Sequence, residues 1–146
     1  MGTAMQGRSK DLLALVDDAA ARGVDISLDQ YPYPAGSTGL TVQFPRWSRD
    51  GGDRELAKRL KDPELRARIH ETLMYELTEV RGRNDPANVQ LAYCDFEHSL
   101  DGLNLSPVLE QRGRDVTLGN AADLIIELQQ AGGCQAIYHA RHPDGV

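Results

Sequence analysis

The sequence predicts an α/β chain in which one helix–strand unit is followed by a mostly helical stretch, and three patterns carry that reading. Leu12, Leu13, Val16, Ala19 and Ala20 share one side of a helix over 10–22, and the alternating Val24, Ile26 and Leu28 follow directly after Gly23. Farther on, Leu65, Ile69, Leu73 and Leu77 recur every four residues, the spacing of a buried helical stripe. Strand-like signals otherwise appear only in two short stretches, 89–93 and 134–138.

Taken in order, 1–7 is small and polar and reads as a frayed start. Ser9 suits the N-cap of the first helix, and Gly23 suits the left-handed position just past its end. Helix, turn and strand make half of a βαβ repeat, whose missing partner strand would precede residue 1; this points to a chain cut from a longer one. The strand over 24–31 stops at Pro32 and Pro34, which cannot donate to a ladder. Residues 39–53 have no clear periodicity and read as a functional loop or lid, anchored by packing of Phe44 and Trp47, with stacking of Trp47 on a substrate as the alternative. Helices return at 54–61 and after Asp62-Pro63, a cap followed by proline at the first helical position. His70 lies off the apolar stripe and reads as a surface residue. Ser106-Pro107 opens a short helix, and Ala121, Leu124, Ile125 and Leu128 form the inner side of another over 120–130, ended by Gly132-Gly133.

The chain has 146 residues, 40% hydrophobic and 26% charged, the balance of a folded globular protein. Its formal charge of -6 leaves no basic surplus to neutralise phosphates, so a nucleic-acid partner is not expected. There is no apolar run near the ~20 residues of a membrane span and no leader-like N-terminus, which points to a cytoplasmic chain with no membrane partner. Cys94 and Cys134 stand 40 positions apart without C-x-x-C spacing and read as reduced, packed residues. Asp95, Glu97, His98 and Asp101 form the most metal-like cluster, but loop charges of this kind are mostly hydrated.

The stretch that carries chemistry is Tyr31-Pro-Tyr-Pro-Ala-Gly-Ser-Thr38. Two phenols and two hydroxyls on a glycine-jointed loop at the end of a strand suit a small polar ligand, although such clusters also serve as ordinary turns. The longer string from Gly23 through this run, together with Pro45-Arg-Trp47, Gly51-Gly52 and Leu60-Lys-Asp-Pro-Glu-Leu-Arg66, resembles the N-acyl-D-amino-acid deacylases, the D-aminoacylase branch of the amidohydrolase superfamily. The resemblance is most specific over 7–69.

That resemblance implies a partial TIM-barrel segment, since a complete barrel runs to ~250 residues. On its template 1–38 holds a barrel helix, a late barrel strand and the substrate loop, 39–133 is a mostly helical insertion or lid, and 134–146 turns back towards the barrel. The positions matching the family's substrate-carboxylate contacts are Tyr31 and Ser37. The implied reaction is zinc-dependent deacylation of N-acyl-D-amino acids. The family's metal histidines, bridging cysteine and catalytic aspartate have no counterparts here, and Asp29 does not match the last of these. No catalytic residue and no bound metal are therefore expected in this chain, and it should be inactive alone. Its expected partners are the small-molecule substrate and the rest of the barrel, with self-association through unpaired strand edges. Two other readings stand beside it: a stand-alone, non-catalytic binding or interaction module derived from the same fold, and a self-contained metal hydrolase using His98, His139 and His142.

Overall fold

In the computed structural model, which describes residues 8–29 and 33–139, helices surround one face of a small antiparallel sheet. Helix α1 spans Ser9–Ala21, strand β1 Gly36–Gly39, helix α2 Arg46–Arg49, helix α3 Asp53–Arg59 and helix α4 Pro63–Tyr75. Strand β2 follows at Val89–Tyr93, helix α5 at Leu105–Gln111, helix α6 at Leu118–Ala131 and strand β3 at Gln135–Tyr138. The sheet order is β1-β3-β2, with both neighbours antiparallel to the central β3.

The two long inner helices form where the apolar spacing places them. Asp62 caps α4 by accepting from the backbone N–H of Glu64 and Leu65, with Pro63 in the first turn. Ile69, Leu73 and Leu77 are fully buried, and a π-helical turn over Glu76–Val80 carries the stripe past the end of α4. Helix α6 buries Ala121, Ala122, Leu124, Ile125, Ile126 and Leu128, and Thr117 caps it. Between them, Arg66 donates two hydrogen bonds to Asp123, and His70 Nε2 donates to the Gly119 carbonyl at 3.1 Å. His70 is thus a half-buried link between helices rather than a surface residue.

Several expectations change in detail. Residues 24–29 form no strand, and Val24, Ile26 and Leu28 are 51%, 41% and 56% exposed. A strand needs neighbours for its backbone groups and apolar face, and no described strand pairs with this segment. Helix α1 likewise buries no residue, and it starts at Ser9 itself, with Arg8 in the cap position and bonded to Asp11. The 39–53 stretch is not an open loop: a 3-10 turn over Leu40–Gln43 and helix α2 bring Leu40 and Phe44 into the core. Trp47 packs on that core with the Arg68 guanidinium 4.8 Å from its ring centre. Helix α5 begins two residues early, at Leu105 behind Asn104 rather than at Pro107 behind Ser106, and Pro107 still falls in the first turn, where no N–H is needed.

Cys94 and Cys134 are buried as expected, but they are not reduced: they form a disulfide. The pairing of Tyr93 with Gln135 sets the adjoining cysteines 4.5 Å apart at Cα, a closeness hidden by their 40-residue separation in sequence.

Candidate functional site

Alternation along the strands gives the sheet two different faces. Val89, Leu91, Ala136 and Tyr138 point into the core, while Ser37, Ile137 and Gln90 lie in register across the opposite face. Ser37 is exposed, and its hydroxyl engages no partner among the described residues. Tyr31, the other expected substrate contact, lies outside the described residues, as does His142. Of the two expected substrate contacts, Ser37 is therefore the one the structure describes, on the outer strand and the open face.

The structure adds Gln90, which the sequence did not single out, and gives His139, named there only as a metal candidate, a different neighbourhood. His139 extends β3, its backbone N–H donating to the Asn88 carbonyl, so it falls on the same face as Ile137. Its Nε2 lies 3.1 Å from Gln90 Oε1, and Gln90 Nε2 donates to the Gly102 carbonyl at 2.8 Å. Ser37 sits on the other side of Ile137, diagonal to His139. The contacts that bring His139 to Asn88 and Gln90 span 49 residues or more, and only the strand register reveals them. Behind the sheet, Tyr138 accepts from Gln43 Nε2, and burial pushes its phenol up to about 12.

The metal-like loop is occupied with its own structure. Asp101 accepts from the Cys94 backbone N–H and pairs with His98, while Glu97 accepts from Ser99 and faces Arg112. Hydrogen bonding to Asp95 raises the pKa of Tyr93, beside that loop. Among the described residues no three His, Cys, Asp or Glu side chains converge, and both thiols are consumed in the disulfide. His98 and His139 make separate contacts, so the donors among the described residues do not fit zinc. A cleft of about 400 Å³ lies apart from Ser37, against Asp53, Leu56, Leu60 and Gln129.

No protein-family model matches the sequence, and no curated protein matches it. Solved structures do match. A D-aminoacylase studied for its binuclear metal centre is 26% identical, with a TM-score of 0.55 over 99% of this chain and 21% of its own. A further D-aminoacylase structure, described as defining a subset of amidohydrolases, is 25% identical with a TM-score of 0.56 over the same shares. An N-acyl-D-glutamate deacylase from Bordetella bronchiseptica, complexed with zinc and a phosphonate inhibitor, shares the fold at 22% identity and a TM-score of 0.52, over 96% of this chain and 20% of that one. The chain spans about one fifth of the length of these structures. Over nearly its whole length, this chain is similar in sequence and fold to one segment of the D-aminoacylases, a subset of the amidohydrolases.

Proposed function

We propose that this chain is the substrate-binding segment of a zinc-dependent hydrolase that deacylates N-acyl-D-amino acids, with a partial TIM barrel supplying its frame. Tyr31 and Ser37 hold the substrate carboxylate through phenol and hydroxyl donors, which bind an anion without adding charge. The metal ligands and the proton-transferring aspartate belong to other parts of such an enzyme, and this chain alone does not turn over. The observation that carries the reading is the exposed Ser37 hydroxyl on the open sheet face, in a chain that aligns end to end with one segment of the D-aminoacylases.

A second reading, a stand-alone non-catalytic binding module, draws on the apolar core that the described residues close among themselves. Titrating the 146-residue chain with N-acetyl-D-alanine and its L enantiomer, followed by amide NMR, tests the binding common to both. The Ser37 and Ile137 signals should shift with preference for the D form, and Ser37→Ala should weaken binding about three- to tenfold, the worth of one hydrogen bond. A Ser37 signal unmoved by either enantiomer contradicts the assignment. Incubation with zinc should yield no acetate; acetate release would contradict the segment reading.

A further inference from the structure

The Gln90–His139 pair carries information beyond its contact distance. The Gly102 carbonyl can only accept, so the Gln90 amide must turn its nitrogen towards it. That leaves Gln90 Oε1, an acceptor, facing His139 Nε2 at 3.1 Å. Nε2 must then carry the ring proton, and in the neutral imidazole Nδ1 is left as a bare acceptor. His139 is exposed, and Nδ1 has no partner among the described residues. The sheet thus holds a histidine in one tautomer with its lone pair outward.

Its position gives that lone pair a use. Ser37 pairs with Ile137, so His139 is the diagonal neighbour of Ser37 on the same face. Diagonal neighbours across an antiparallel pair lie about 7–8 Å apart, within reach of a single small ligand. Ser37 Oγ offers a donor and His139 Nδ1 an acceptor. An N-acyl amino acid presents the complement: a carboxylate that accepts and, one carbon away, an amide N–H that donates.

We infer that His139 accepts a hydrogen bond from the substrate amide N–H while Ser37 holds the carboxylate, and that Gln90 positions the His139 ring. The inference rests on the substrate class proposed above. His139 is a recognition residue that selects amides over esters and sets the angle between the amide and the carboxylate. Gln90 acts only through it.

The experiment compares N-acetyl-D-alanine with its ester isostere O-acetyl-D-lactate, which replaces the N–H by oxygen. Both are titrated into the 146-residue chain and read by amide NMR. The amide should bind about three- to tenfold tighter, one hydrogen bond's worth. His139→Ala should erase that preference, whereas Ser37→Ala should weaken both ligands and leave it intact. Gln90→Leu should shrink the preference and, by imidazole ¹⁵N shifts, convert the single Nε2–H tautomer to a mixture. Equal affinity for amide and ester in the unsubstituted chain, or a preference that survives His139→Ala, overturns the inference while leaving the Ser37 assignment standing. Binding of neither ligand overturns both.

Discussion

Tyr138 is where burial acts most strongly on a single group. Its phenol is 3% exposed, receives a hydrogen bond from Gln43 and is pushed up to about 12 by burial. The unfolded chain releases this proton near 10, so between about 10 and 12 the folded state binds more protons and stability falls as pH rises. Urea titrations should therefore show a loss of about 2–3 kcal/mol across that window, fully absent below pH 10 and removed by Tyr138→Phe; a flat alkaline profile would contradict this. Gly82 is a second single-residue dependence. A Cβ there would sit 2.3 Å from the Leu77 carbonyl oxygen, which belongs to the backbone and cannot swing away. Gly82→Ala should cost about 1–3 kcal/mol in urea denaturation, and a neutral substitution would show that the turn after Val80 relaxes freely. Ser37 draws notice in the sequence because it sits in a local run of turn and hydroxyl residues. Gln90 and its contact with His139 do not, because they come from pairing across the sheet. The disulfide escaped for the same reason.

Helices form where periodicity places them, and an alternating stretch forms a strand only where another strand pairs with it. The stripes of α4 and α6 close on each other, so periodicity alone located both. Ile125 lies fully buried in α6. Ile125→Ala should destabilise by about 2–5 kcal/mol in urea denaturation; a cost under 1 kcal/mol would show that the core collapses around the cavity. Residues 24–29 have the alternation of a strand, yet periodicity records only which side would be buried. The exposed Leu12, Leu13 and Leu15 of α1 tell the same story. In 39–53 the lack of periodicity reflected short helical turns, too brief to show a period, whose Leu40 and Phe44 reach the core.

At the scale of the whole molecule, one apolar core ties the sheet to the helices, and the Cys94–Cys134 disulfide closes its edge. Closing a loop of this length restricts the unfolded chain by about 4 kcal/mol in the chain-entropy account. Reduction should therefore lower the urea midpoint without changing the sheet, and a midpoint insensitive to reductant would place that restraint elsewhere. The fold sets Ser37 and His139 on the face opposite this core, so substitutions there should alter recognition without altering stability. The most direct test of the account splices this chain in place of the matching fifth of a D-aminoacylase. Deacylation of an N-acyl-D-amino acid should persist in the folded chimaera and fall at least threefold with Ser37→Ala. A folded chimaera that deacylates equally well with and without that hydroxyl would contradict it.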